Sequence, residues 1–450
     1  MGPPLRGFSA RGLGVLQIYP LLRAGAVPPA MVISAPRPER PLTSAPMRRR
    51  LLPILLGAGL ALGGCGGTKL LRTTSSATVT VGIPSKAPQA VAKLGFPLLA
   101  TKNTTRVDGA DAAADAAGVA LAVYPSAAPG THPGAVTIAP TGDWQAAIAA
   151  SVLMAPPIRA PLLLSGSTTM PAATATALAQ LAPTGAGTAG GAQVIRVGTE
   201  PIAKGLRSAS IKGTDPYALA AGIDRFVSAA QGKTSSDIVI ASGVDPAYAM
   251  PAAGWAAESG DPVLFVGNSS VPAPTRQALL AHQRPNIYVL GPPSVIGPSV
   301  LAQLRKYGPV KRVGANDPAA NSVAFAEYRD PACAYGQPCA HVPGSFGWAI
   351  RSPGHGYVLI NGNRPLDAAA AAPLSGSGDF GPQLLVDNAS SLPHAVLNFF
   401  LDYATPGYTQ EGPTAAVYNH GWVIGDQSEI SVPVQAEMDN LLEAVPQTSR

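Results

Sequence analysis

The stretch Ile238-Val239-Ile240-Ala241-Ser242-Gly243, followed by an Ala-rich run over residues 247–258 and then by Pro262-Val263-Leu264-Phe265-Val266, decides the fold. Two short β-branched runs flank a helix-forming segment, and neither alternates apolar with polar residues. Continuous apolar strands of this length are buried on both faces, as in a parallel sheet covered by helices. Further along, a second helical segment over residues 272–282 leads to Ile287-Tyr288-Val289-Leu290-Gly291, a third strand ending in Gly. Upstream, Gly213-Thr214-Asp215-Pro216 precedes another Ala-rich helix. Asp is a good N-cap there, and Pro suits the first helical turn.

The same order occurs twice more, which marks an internal repeat. Ala135-Val136-Thr137-Ile138-Ala139-Pro140-Thr141-Gly142 and Tyr357-Val358-Leu359-Ile360-Asn361-Gly362 match the first run. Ala-rich segments over residues 144–154 and 366–373 follow, then Pro161-Leu162-Leu163-Leu164 and Pro382-Gln383-Leu384-Leu385-Val386. From Ile138, Ile240 and Ile360 to that Pro is 23, 22 and 22 residues. Val194-Ile195-Arg196-Val197-Gly198 and Trp422-Val423-Ile424-Gly425 supply the third strands. Gly109-Ala110-Asp111 and Gly314-Ala315-Asn316-Asp317-Pro318 supply the openings. The expected fold is α/β, with three small doubly wound parallel-sheet units in tandem. Their expected bounds are 101–205, 206–308 and 309–450, the last enlarged by an insert around residues 330–344; residues 65–100 read as a linker merging into a first strand.

This succession resembles the cell wall-binding repeat 2 family of Gram-positive surface proteins, over roughly residues 102–445 and most clearly in the second repeat. The resemblance implies three Rossmann-like modules in a pseudo-threefold arrangement, attached to anionic wall polymers. The chain departs from the family where an Arg often follows the opening Asp: Ala112, Pro216 and Pro318 stand there. The family's Pro-Asp-Ala-Leu stretch is also reduced, to Asp143, to Asp245-Pro246-Ala247 and to Pro365-Leu366-Asp367-Ala368.

The N-terminal part reads as a targeting segment. The formal charge is +6, from 31 basic and 25 acidic residues, but residues 1–64 hold eight arginines and one acid. That leaves 23 basic and 24 acidic residues after position 64, about −1, so the high pI argues for no nucleic-acid partner. Within residues 47–64, Met47-Arg48-Arg49-Arg50 is a positive n-region, and the apolar stretch from Leu51 to Leu62 is short for a bilayer span. Leu62-Gly63-Gly64-Cys65 resembles the lipobox of bacterial lipoproteins, which implies acylation of Cys65, a lipid anchor in the membrane and a place outside the cytoplasm, against the wall. Residues 1–46 then read as a misassigned extension or a disordered tail. Cys333 and Cys339, with five residues between them, suit a local disulfide outside the cytoplasm. A metal site would need further ligands, and only His341 is near.

No nucleotide-binding glycine loop, zinc-protease helix or nucleophile elbow is present, so no cofactor, metal or catalytic residue is expected. Asp143, Asp245 and Asp367 recur after the first long strand of each repeat, either as helix caps or as the lining of a crevice at the strand ends. Arg106, Lys212 and Lys311 stand just before the opening Gly of each repeat, as polymer contacts or as solvated loop charges. Trp144, Trp255, Trp348 and Trp422 could stack on sugar rings, although Trp255 lies on an Ala-rich helix. The expected function is multivalent, non-catalytic attachment to a wall polymer. The alternative is a solute-binding lipoprotein serving a transporter, which would have two lobes and one deep cleft.

Overall fold

The computed structural model describes residues 98–336, 338–342, 344–377 and 381–447; the targeting segment and Cys65 lie outside them. The first part contains β1 (Leu98–Ala100), β2 (Thr104–Val107), α1 (Ala112–Val123), β3 (Val136–Pro140), α2 (Trp144–Ala150), a 3-10 turn (Ser151–Met154), β4 (Leu162–Ser165), α3 (Ala172–Leu181) and β5 (Val194–Val197). The second contains β6 (Ser208–Ile211), α4 (Pro216–Gln231), β7 (Asp237–Ser242), α5 (Pro246–Ala249), α6 (Pro251–Ser259), β8 (Val263–Val266), α7 (Ala273–Ala281), β9 (Asn286–Leu290) and α8 (Pro298–Leu304). The third runs through β10 (Val310–Val313), α9 (Pro318–Glu327), β11 (Gly356–Asn361), α10 (Pro365–Ser375), β12 (Gln383–Val386), α11 (His394–Phe399), β13 (Gly407–Tyr408), β14 (His420–Ile424), α12 (Val432–Leu441) and β15 (Val445–Pro446).

Three large sheets result, ordered β4-β3-β5-β6, β8-β7-β9-β10 and β12-β11-β14-β2-β1, beside a small parallel pair of β13 and β15. All their pairings are parallel except β1 on β2. The sheets therefore do not coincide with the sequence repeats. Each takes its fourth strand from the opening of the following repeat, and the third takes β2 from the first. Parallel pairing needs a crossover, and the chain supplies it by running on into the next unit. The three joints are built alike. The Gly that ends each third strand donates its N–H to the last carbonyl of the borrowed strand: Gly198 to Ile211 (2.9 Å), Gly291 to Val313 (3.0 Å) and Gly425 to Val107 (3.0 Å).

Helices cover both faces. The helix after each opening strand crosses back onto the next sheet: α1 packs on β4, α4 on β8 and α9 on β12. Asp111, Asp215 and Asp317 cap them through the N–H of Ala114, Ala218 and Ala320, at 2.9, 2.9 and 2.8 Å. The helices after the first strand of each sheet, α2, α6 and α10, pack against one another at the centre. Their seam is Ala and Gly because the backbones approach closely. A Cβ on Gly254 would lie 2.7 Å from the Ser375 hydroxyl, and one on Gly376 would lie 2.5 Å from the Ala257 carbonyl.

Arg106 contradicts its expected place as a surface contact. It sits on β2 with no exposure. Its Nη1 donates to the Gly425 carbonyl (2.7 Å), its Nη2 to the Ile430 carbonyl (2.6 Å) and its Nε to the Gln435 side chain (2.9 Å). An ordered guanidinium with five donors suits a strand-end turn that turns several carbonyls inward. Arg106→Met is expected to leave these acceptors buried and unpaired, at about 1–3 kcal/mol each. Urea unfolding should show a loss of roughly 3 kcal/mol or more; a loss below about 1 kcal/mol would show that β2 closes the third sheet without it.

Candidate functional site

The carboxyl ends of β3, β7 and β11 carry the three recurrent acids, and they differ. Asp143 caps α2, its carboxylate accepting from the Ala146 N–H at 2.9 Å. Asp245 makes no capping bond; the Ser242 hydroxyl instead holds the turn before the helix, accepting from the N–H groups of Val244 (3.1 Å) and Asp245 (2.9 Å). Asp367 lies inside the first turn of α10, not at its cap, and pairs with Arg364 at 3.1 Å. It is buried beside Asp115 and Glu429, with ligand oxygens of all three within 4.8 Å of one another. Burial, with repulsion between the carboxylates added, pushes Asp115 up to about 9 and Glu429 to about 7; burial pushes Asp367 to about 6 despite Arg364.

The basic trio also separates. The strand register places Arg106, Ser210 and Arg312 at equivalent positions, beside Val107, Ile211 and Val313, so Lys212 and Lys311 are not its repeats. Arg312 donates to the Ile296 carbonyl at 2.6 Å, inside its own sheet end. Lys212 is exposed beyond β6. Lys311 binds the buried Asp330 at 2.6 Å. Trp255 and Trp348 are fully buried and meet edge to face at 5.3 Å, so neither reaches a ligand. Trp144 packs on Phe265 at 5.8 Å, and Trp422 on His420 at 5.3 Å.

The arrangement best suited to a sugar ligand lies where the insert of the third repeat folds back. Cys333 and Cys339 form a disulfide, with Cα atoms 5.7 Å apart and both residues buried. The closed loop is pinned by the Gly336 N–H on the Ala349 carbonyl (2.8 Å) and the Cys339 N–H on the Gly347 carbonyl (2.8 Å). Tyr335 stands at its tip, 43% exposed. Arg329 and Arg351 lie over its ring, at 4.3 and 4.9 Å from the centroid, and Arg351 also faces Tyr403 at 5.6 Å. Together with Glu327, which pairs with Arg351 at 2.9 Å, and Asp402, they line an open groove of about 530 Å³. Aromatic faces beside paired charges offer stacking surfaces and hydrogen-bond groups without a net field. The sequence signalled this groove only through its two cysteines.

Residues 210–301 match the model of the Cell wall binding domain 2 (CWB2) family. Among solved structures, the fold is similar to that of Cwp6 from Clostridium difficile, with a TM-score of 0.59 and 16% identity over 77% of this chain and 49% of that one. It is also similar to Cwp8 from Clostridium difficile, with a TM-score of 0.53 and 15% identity over 75% of this chain and 51% of that one. The chain thus spans about half the length of each. No curated protein sequence matches it significantly.

Lys311 and Asp330 give a test of how the insert is held. Burial alone raises the Asp330 carboxyl, but hydrogen bonds from Lys311, Tyr288 and Tyr328 outweigh it and leave it below the ordinary range. A lowered carboxyl stabilises the fold fully above its unfolded pKa of about 3.9 and ceases to do so as pH falls through the folded value. Lys311→Met is therefore expected to cost about 1 kcal/mol at neutral pH, since Lys311 is nearly half exposed, and the gap from wild type should narrow as pH falls below about 4. Equal gaps at pH 7 and pH 3 in thermal melts would refute the pairing as the cause.

Proposed function

We propose that this is a non-catalytic, lipid-anchored surface protein that holds the cell wall through a saccharide bound in the groove of its third repeat. One observation carries the reading: the central unit matches a cell wall-binding family, and the two flanking units repeat its architecture. The anchor is the acylated Cys65 of the lipobox-like sequence. No helix among the described residues is long and apolar enough to cross a membrane.

Three equal electrostatic sites do not fit the geometry, since Arg106 is buried and Lys311 is engaged. The near-neutral charge beyond residue 64 also speaks against a purely electrostatic grip. The groove fits hydroxyl-rich sugar rings of peptidoglycan or an anionic glycopolymer. Tyr335 holds both guanidiniums over its ring and offers its exposed part to the sugar, Tyr403 lines the other side, and Arg329 and Arg351 donate to hydroxyl, carboxylate or phosphate oxygens. Avidity then arises from two unlike attachments. The acyl chains hold the protein at the membrane surface, which raises its effective concentration at the wall. A solute-binding protein needs two lobes around one deep cleft; three sheets around a shared helical centre do not form that shape.

Retention on purified wall sacculi tests the reading. The domain beginning after Cys65 should be retained, with little loss in high salt. Tyr335→Ala or Arg351→Ala should weaken retention about tenfold, since a charge-assisted hydrogen bond or aromatic anchor is worth about 1.5–3 kcal/mol. The Cys333→Ser/Cys339→Ser variant should keep the fold, losing about 2 kcal/mol for so short a loop, yet bind as weakly as Tyr335→Ala. Absence of wild-type retention at low salt sinks the proposal; full retention by all three variants moves the site elsewhere.

The anchor is tested separately. Cys65→Ser should abolish acylation and release the protein from the membrane fraction, because a hydroxyl does not replace the thiolate as the acylated nucleophile. A Cys65→Ser chain that still partitions with membranes, uncleaved, would make residues 47–64 a permanent anchor.

A further inference from the structure

The joint between α1 and α10 holds three carboxylates that the fold does not require. Asp115 lies on α1, four residues after its N-cap Asp111. Asp367 lies in the first turn of α10, and Glu429 in the turn that follows β14. Both aspartates have no exposure. The corresponding helix positions at the other two joints are neutral: Leu219 and Asn321 follow the caps Asp215 and Asp317 by four residues, and Gln145 and Ala247 match Asp367 in distance from the preceding strand isoleucine. The same helix contact is therefore made elsewhere without charge.

The hydrogen bonds leave one oxygen of each carboxylate unpaired. Asp115 Oδ1 accepts from the Gly109 N–H at 2.9 Å, and Oδ2 has no partner. Asp367 Oδ2 accepts from Arg364 Nε at 3.1 Å, and Oδ1 has no partner. Glu429 Oε1 pairs with Arg364 Nη1 at 2.5 Å, and Oε2 has no partner. Arg364 thus bonds two of the three acids, Asp115 meets no cation among the described residues, and a buried polar oxygen without a partner is costly. The ligand atoms lie within 4.8 Å of one another. Two oxygens bound to one calcium ion, each at about 2.3–2.6 Å, can be separated by no more than about 5 Å.

We propose that Asp115, Asp367 and Glu429 bind one hard divalent cation of the calcium class. The donor set is oxygen only, which suits calcium or magnesium and disfavours zinc or copper. When the ion displaces the protons that burial keeps on these acids, its two positive charges balance the two negative charges that Arg364 leaves over. The ion enters from the side of Glu429 and Arg364, which are partly exposed, while the aspartates form the closed end. Its bonds tie α1 to α10 and to the turn beyond β14, so it fastens the first repeat to the third.

The test uses the full chain, stripped with a chelator and titrated with calcium chloride or magnesium chloride by calorimetry. One equivalent of calcium should bind, and saturating calcium should raise Tm by about 2–4 °C. Glu429→Gln, at the exposed edge, should fold normally and bind at least about tenfold more weakly, since ligand charge sets affinity. Asp115→Asn/Asp367→Asn should abolish binding and the Tm response. A wild-type chain that binds neither ion and melts identically in chelator and in calcium overturns the proposal. So does an Asp115→Asn/Asp367→Asn variant that keeps the calcium response. Binding of magnesium but not calcium would keep the site and overturn the calcium assignment.

Discussion

A three-stranded parallel sheet with a bare edge exposes a row of unpaired N–H and C=O groups, and covering that edge organises the whole molecule. Each sheet covers it with the opening strand of the following repeat. For β5 and β9 the chain simply continues into β6 and β10. For β14 the neighbour is β2, which comes from the other end of the described chain. This places the β2–α1 turn between two units, since β2 belongs to the third sheet while α1 lies on β4. Arg106, the Gly109–Asp115 contact and the carboxylate group all sit at that crossing.

The centre obeys a second constraint. Three helices meet on one axis only if their backbones come close, and the Ala-rich runs that dominate the composition supply that surface. Buried alanines such as Ala147, Ala253 and Ala370 contribute little apolar area each, but they cost almost no side-chain entropy to order. The bulky aromatic residues lie off the axis, where Trp255, Phe325, Phe346 and Trp348 fill the space under the disulfide loop.

Local chemistry was legible in the sequence, and non-local pairing was not. Apolar runs such as Ile238–Ala241 and the Asp-Pro openings report on their own conformation, and they sit in strands and at capped helix starts. The borrowed strands Ser208–Ile211 and Val310–Val313 are short and half polar because they lie at sheet edges, so they lack the continuous apolar run that marks the inner strands. Whether a cation on such a strand points to solvent or inward depends on the register of its partner; that is why Arg106 and Lys311 seemed alike. Asp245 shows the same limit on a smaller scale: it stands at the N-cap position, yet its side chain makes no capping bond. The groove draws Arg329, Tyr335, Arg351 and Tyr403 from separate segments, and Glu429 lies more than 300 residues from Asp115, so no spacing rule announces either group.

Strand borrowing has a consequence for any attempt to isolate one unit. A piece cut at the sequence boundaries of the second repeat would carry β6 with no sheet to join and β9 with an uncovered edge. The loose strand of one copy complements the open edge of another, in a head-to-tail contact that does not satisfy itself within a pair. Three such copies could close into a ring that imitates the parent chain; any other rotation between them would propagate as a filament.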